Sequence, residues 1–121
     1  MKVLLADESV LMMDLLKQML GMHKEFEIVA QSYNGNDTLE ALRNLKPELA
    51  IVDNNLPGLS GLEVLEEIRK EDDDLKFILF SDYVSDYYLP STRQTGNDFF
   101  FSKSDDFEKV FDVMSQMIKK Q

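Results

Sequence analysis

The stretch Leu49-Ala50-Ile51-Val52-Asp53-Asn54-Asn55-Leu56-Pro57-Gly58-Leu59-Ser60-Gly61-Leu62-Glu63-Val64-Leu65-Glu66-Glu67-Ile68 decides the fold. It opens with a continuous apolar run, Leu49 to Val52, which reads as a short strand covered on both faces. Asp53 ends that run. Further on, Ser60 with Glu63 three residues later matches a capping box, and Leu62, Leu65 and Ile68 then share one helical face. The unit is strand, polar loop, helix. A strand apolar on both faces marks a parallel sheet with helices above and below it.

The same alternation extends in both directions. Val3 to Ala6 and Phe77 to Phe80 are continuous apolar runs, and Phe99 to Phe101 is a shorter one. Phe26 to Ala30 is more mixed, which suits an edge strand. Between these runs the period is helical. Met12, Leu15, Leu16, Met19 and Leu20 form one stripe, and Leu39, Leu42 and Leu45 a second. Phe107, Val110, Phe111, Met114, Met117 and Ile118 line a last helix, with Ser104 as its cap and Asp105 and Asp106 at its positive end. Ser85 to Thr95 is the weakest helical segment, because Pro90 shortens or kinks it. The expectation is a doubly wound α/β fold with five helices. Its five-stranded parallel sheet has the flavodoxin-like order 2-1-3-4-5. Methionines beside leucines on helix faces read as core filler.

Length and charge bound the function. The chain has 121 residues, enough for one domain over 1–121. Apolar residues make up 44% and charged residues 30%, as in an ordered globular chain. Its net charge of −10 disfavours nucleic acid and anionic membranes as direct partners. With no cysteine and one histidine, thiolate and multi-histidine metal sites are excluded, and a serine–histidine triad is disfavoured. His23, just after Gly21, reads as a surface or helix-terminal residue. The apolar run after Lys2 is too short for a signal peptide or membrane span, so a cytoplasmic location is expected. Glu71 to Asp74 reads as a solvated loop and not a cation site.

Ligands in open parallel sheets bind beyond the carboxyl ends of the strands, where strand order reverses. Those ends carry Asp7 and Glu8, then Asp53, then Ser81 and Asp82, then Lys103. With the order 2-1-3-4-5, three carboxylates converge at the reversal. Two like charges at ~4 Å cost on the order of 4 kcal/mol at an effective dielectric near 20. A cation or a retained proton relieves that cost. All the ligands are oxygens, which favours a hard ion such as Mg2+. Lys103 and Ser81 add an ammonium and a hydroxyl at the same mouth. Together these groups suit an anionic phosphoryl group carried on a carboxylate. Each feature alone is weak, since a strand-end aspartate is usually a turn residue; their joint occurrence carries the argument.

On these residues the whole chain resembles the receiver domain of bacterial response regulators in two-component signalling. Asp7-Glu8 stands where that family keeps its metal-binding acids. Asp53 to Gly61 is similar to the family's phosphoacceptor loop, with proline four and glycine eight positions after the aspartate. The resemblance implies that Asp53 is phosphorylated by a histidine kinase or phosphotransfer protein. It further implies that Asp7, Glu8, Asp53 and the Asn55 backbone carbonyl hold Mg2+. Ser81 matches the switch hydroxyl, Phe100 the switch aromatic and Lys103 the family's lysine. Phosphorylation would draw Ser81 inward, let Phe100 turn, and change the surface of the fourth helix, fifth strand and fifth helix. That surface would control a downstream effector or fused output domain, and would be the contact of any homodimer.

Three positions depart from the family pattern. Asp82 replaces the usual small residue and is expected to slow phosphorylation by small donors. Phe100 replaces tyrosine. Ser104 replaces the frequent proline after the lysine. Two competing readings follow. A degenerate receiver would be a constitutive protein-interaction module. A magnesium-dependent phosphohydrolase would place a second aspartate where Asn55 stands, so an enzyme beyond self-phosphorylation and dephosphorylation is not expected. Both a stand-alone regulator and part of a longer one fit the sequence.

Overall fold

Every apolar run forms a strand of one parallel sheet. The computed structural model describes residues 1–81, 96–103 and 107–119. Its strands are β1 (Lys2–Ala6), β2 (Glu27–Ser32), β3 (Leu49–Asp53), β4 (Lys76–Ser81) and β5 (Asp98–Ser102). Its helices are α1 (Val10–Gly21), α2 (Gly35–Leu45), α3 (Gly61–Ile68) and α4 (Phe107–Lys119). The sheet order is β2-β1-β3-β4-β5, all parallel, with β2 at one edge as its mixed sequence suggests and the apolar β5 at the other. Four helices fall among the described residues; the other expected helix, Ser85 to Thr95, the fourth in chain order, lies outside them, as do Ser104 to Asp106.

Alternation along each strand divides the core into two halves. Leu4, Ala50, Val52, Phe77 and Leu79 pack toward Leu39, Leu42, Leu65 and Ile68 of α2 and α3. Val3, Leu5, Ile51, Ile78 and Phe80 pack toward Met13, Leu16 and Leu20 of α1 and Val110, Met114 and Met117 of α4. Each large apolar side chain buried in this way contributes roughly 1.5–3 kcal/mol.

The helix starts follow local hydrogen-bonding chemistry. Ser60 Oγ accepts from the Glu63 N–H at 3.1 Å while Glu63 Oε1 accepts from the Ser60 N–H at 3.0 Å, completing the expected capping box. Asn34 caps α2 in the same manner, accepting from the Asp37 N–H at 2.8 Å. The last turn of α2 closes on Lys46, a left-handed residue with φ of 47°.

Two helix faces differ from the periodicity. In α1, Met13 is buried and Leu15 is 41% exposed. That helix is apolar nearly all round, with Val10, Leu11, Met12 and Met13 in succession, so spacing could not choose the face. In α2, Leu45 is exposed, because the chain turns out of the helix at Lys46.

Candidate functional site

Register brings four strand ends level. Ala6 pairs with Val52, Asp53 with Phe80, and Ser81 with Ser102. Asp7 therefore emerges beside Asp53, and Lys103 beside Ser81. The Lys103 N–H donates to the Ser81 carbonyl at 2.7 Å, extending the ladder one step past both strands. The Asp7 N–H does the same toward the Ser32 carbonyl of β2 at 3.2 Å.

The side chains meet across this end. Lys103 Nζ lies 2.9 Å from Asp7 Oδ2 and 3.2 Å from Asp53 Oδ1. Asp7 and Asp53 are almost completely buried, whereas Lys103 retains some solvent contact. Asp7 Oδ1 accepts from the Ser9 N–H at 2.8 Å, and Asp53 Oδ1 accepts from the Asn55 N–H at 3.2 Å. Two buried acids thus share one ammonium, leaving a net charge of −1 among the three groups.

The proton affinities reflect that imbalance. Burial, and then the charge of Asp7, push the Asp53 carboxyl above its ordinary value, against the opposing pull of Lys103 and the Asn55 N–H. Burial acts to lower the Lys103 ammonium, but its hydrogen bond to Asp7 and the charge of Asp53 outweigh it and raise the net value.

The remaining sequence-derived residues are placed as follows. Ser81 ends β4 and is buried; Phe100 is half-buried against the core on the α2 and α3 side. Glu8 is exposed on the turn into α1, and Asn55 is exposed in the loop after β3. Among the described residues, no three acidic or imidazole side chains form a ready metal cage, so Glu8 stands apart from the Asp7–Asp53 pair. Asp82 lies outside the described residues. His23 is exposed beyond α1, edge-on to Phe26. Glu71, Asp73 and Asp74 are exposed, as expected of a solvated loop.

The loop from Asn54 to Gly61 is more firmly held than its glycines suggest. Asn54 Oδ1 accepts from the Leu62 N–H at 3.0 Å, its carbonyl from the Gly61 N–H at 3.0 Å, and its own N–H donates to the Phe80 carbonyl at 2.7 Å. The Gly35 N–H of α2 donates to the Pro57 carbonyl at 2.9 Å, docking that helix start on the loop. Nothing in the sequence alone points to Asn54 or Gly35, whose roles depend on contacts between elements. Ser9, just before an apolar helical run, carried a capping signal that could have found it.

A family model of the response regulator receiver domain matches residues 3–115. Over 79 residues the chain is 30% identical to the nitrate/nitrite response regulator protein NarL of Escherichia coli, covering 65% of this chain and 37% of that one. Over 80 residues it is 34% identical to a protein-glutamate methylesterase/protein-glutamine glutaminase of Clostridium acetobutylicum, covering 66% of this chain and 23% of the relative. The chain spans well under two thirds of either relative's length. Among solved structures, a chain of the CheX-CheY-BeF3-Mg+2 complex from Borrelia burgdorferi matches with a TM-score of 0.83 and 24% identity, covering 96% of this chain and 88% of that one. At that identity the likeness is one of fold.

Proposed function

The chain belongs to the response regulator receiver domain family of two-component systems, and from that membership we propose that it is a phosphorylatable switch whose phosphoacceptor is Asp53. The single observation that supports this best is the meeting of Asp7, Asp53 and Lys103 at the strand ends, from positions far apart in the chain.

The donor set fits a hard divalent ion. It offers only oxygens, and Lys103 leaves it net negative, with the Asp53 carboxyl held above its ordinary range. Asp7, Asp53 and the Asn55 backbone carbonyl would hold Mg2+, and Glu8, exposed on the turn after Asp7, would add negative charge near the same strand end. Bound there, the ion neutralises carboxylate charge and polarises phosphoryl oxygens.

Asp53 is buried enough to present one defined carboxylate face. One of its oxygens attacks the phosphorus of a phosphohistidine on a histidine kinase or phosphotransfer protein. A P–O bond forms, the P–N bond breaks, and the imidazole leaves with the bonding pair. This in-line transfer relies on positioning and charge neutralisation, which Lys103 provides from 3.2 Å away. Ser81 and Lys103 are neighbours through the 2.7 Å bond from the Lys103 N–H to the Ser81 carbonyl, and in this reading their hydroxyl and ammonium would donate to the phosphoryl oxygens. Ser81 moving inward frees space for Phe100. The surface of the fourth expected helix, β5 and α4 then changes toward a downstream effector, an output domain or a second copy. A differential affinity of a few kcal/mol suffices for such a shift. In this reading the protein works in the cytoplasm and does no chemistry beyond its own phosphorylation and dephosphorylation.

Acetyl phosphate labelling tests the proposal. Wild type with Mg2+ should acquire an alkali-labile acyl phosphate, and Asp53→Asn should not. Equal labelling of both proteins overturns Asp53 as acceptor. Unchanged NMR spectra on adding beryllofluoride with Mg2+ would favour the constitutive interaction module instead.

A further inference from the structure

β5 carries no pattern that fixes its own register. Phe99 and Phe101 pack with the α1 and α4 half of the core, and Phe100 with the other half. Register is usually specified because a slip of one residue exchanges the two faces of a strand. In Asp98-Phe99-Phe100-Phe101-Ser102, a slip in either direction still leaves phenylalanine at two of the three central positions. The strand is also at the edge of the sheet, so β4 alone guides it.

What separates one register from another lies at the strand's two ends. At the Lys103 end, the contacts with Asp7 and Asp53 involve the group that an incoming phosphoryl group would engage. That end therefore changes partners during the reaction. The other end does not. There, Arg69 at the end of α3 donates from Nε and Nη2 to Asp98 Oδ1 at 2.8 and 2.6 Å. Its fork also reaches the Asp72 carbonyl at 3.0 Å and the Leu75 carbonyl at 2.6 Å, which fixes the guanidinium against the turn leading into β4. Both side chains are only 4% exposed. Asp98 Oδ2 is buried with no hydrogen-bond partner among the described residues, so the carboxylate depends on Arg69 for compensation.

A slip of one residue moves Asp98 by about 3.3 Å along the strand. The fork would then lose its acceptor, and two buried charges would lose each other, which is strongly unfavourable. An apolar pair of similar volume could fill the same space without that directional demand. We infer that the buried Arg69–Asp98 pair sets the register of β5 and so acts as a positioning pair for Lys103, about 16 Å further along the strand. The importance of Lys103 rests on the phosphoacceptor reading; the register argument does not.

The test is Arg69→Met combined with Asp98→Leu in the full chain, which removes both charges together. Cross-strand backbone NOEs read the register directly, without metal or phosphate, so a failed phosphoacceptor reading leaves this result intact. The expected result is a folded protein with doubled β5 resonances, in which the Phe100–Leu79 pairing coexists with a slipped one. Acetyl phosphate labelling of Asp53 should fall about tenfold or more as Lys103 is misplaced. A folded variant with one set of β5 resonances in the native register overturns the proposal, whatever its labelling rate. Should the double variant fail to fold, Asp98→Asn keeps the shape and one acceptor. It should show microsecond-to-millisecond relaxation dispersion at β5 amides that wild type lacks. Profiles as flat as wild type would also overturn it.

Discussion

The Lys103 ammonium donates a 2.9 Å hydrogen bond to Asp7 Oδ2 across 96 positions of sequence, closing the site from its far side. Replacing it by methionine leaves Asp7 and Asp53, 2% and 3% exposed, without their shared cation. Removing one partner of a buried ion pair costs roughly 3–5 kcal/mol, and the partial exposure of Lys103 places this case near the lower figure. Lys103→Met should therefore lose about 3 kcal/mol in chemical denaturation with EDTA present. Adding Mg2+ should restore part of that loss, because an ion bound only by the folded state stabilises it by mass action. No response to Mg2+ would remove the proposed metal site.

Asp53 should make the metal-free protein less stable at neutral pH. Burial and the neighbouring Asp7 raise its carboxyl above the ordinary 3.8. The folded state therefore holds that proton more tightly than the unfolded chain does. Stability falls as pH rises from the unfolded value through the raised one, and the full penalty applies above both. Asp53→Asn removes this penalty and keeps an oxygen for Lys103. Its Tm at neutral pH should exceed that of wild type, because the variant has no carboxylate charge to bury there. The difference should vanish below the ordinary carboxylate range. Thermal melts of both proteins in EDTA across that range would show it, and a wild type more stable than the variant at neutral pH would contradict it.

Much of this arrangement was legible because the informative residues sit where regular patterns stop. Val52 gives way to Asp53 and Phe80 to Ser81, so the ends of apolar runs point to the strand ends where Asp7, Asp53 and Lys103 meet. The capping box at Ser60 was legible because its chemistry is local. The buried face of α1 was not, since an almost uniformly apolar helix has no preferred side until it meets the sheet; there Met13 turned inward and Leu15 outward. Arg69 and Asp98 were also silent. They are 29 positions apart, and a charged residue read alone is assigned to solvent. Nor could spacing show that α2 docks on the loop after Asp53, because that contact depends on how two helices share one face of the sheet.

Close packing against this loop demands two glycines, Gly35 where α2 docks on it and Gly61 where α3 starts against the end of β3. A Cβ at Gly35 would overlap the Leu59 carbonyl, and one at Gly61 would lie 2.5 Å from the Asp53 carbonyl and 2.7 Å from Leu79 Cδ1. In both cases backbone must yield. Gly35→Ala and Gly61→Ala should each destabilise by about 1–3 kcal/mol, and Gly61→Ala should also slow Asp53 labelling by moving its backbone. Gly21, at the end of α1, has nothing within 4 Å of such a Cβ. Gly21→Ala should be neutral or stabilising by about 0.5 kcal/mol, through the better helix propensity of alanine. Urea titrations of the three variants would separate these effects, and equal midpoints would refute the docking argument.

Two arginine–carboxylate pairs of similar length should differ widely in energy. Arg43 Nε lies 3.0 Å from Glu71 Oε1 with both side chains 45% exposed, whereas Arg69 Nη2 lies 2.6 Å from Asp98 Oδ1 with both 4% exposed. Water and salt screen the first pair and leave its partner solvated when it is broken. Arg43→Ala should cost less than about 1 kcal/mol, and less again at high salt. Arg69→Met leaves Asp98 as a buried carboxylate without the guanidinium that compensates it, and removes the donors to the Asp72 and Leu75 carbonyls. That variant should lose about 3–5 kcal/mol. Adding Asp98→Leu to it should recover much of the loss, because the remaining penalty is chiefly the stranded charge. Denaturant unfolding of the single and double variants measures the recovery. A double variant no more stable than Arg69→Met would place the cost in the lost carbonyl contacts instead.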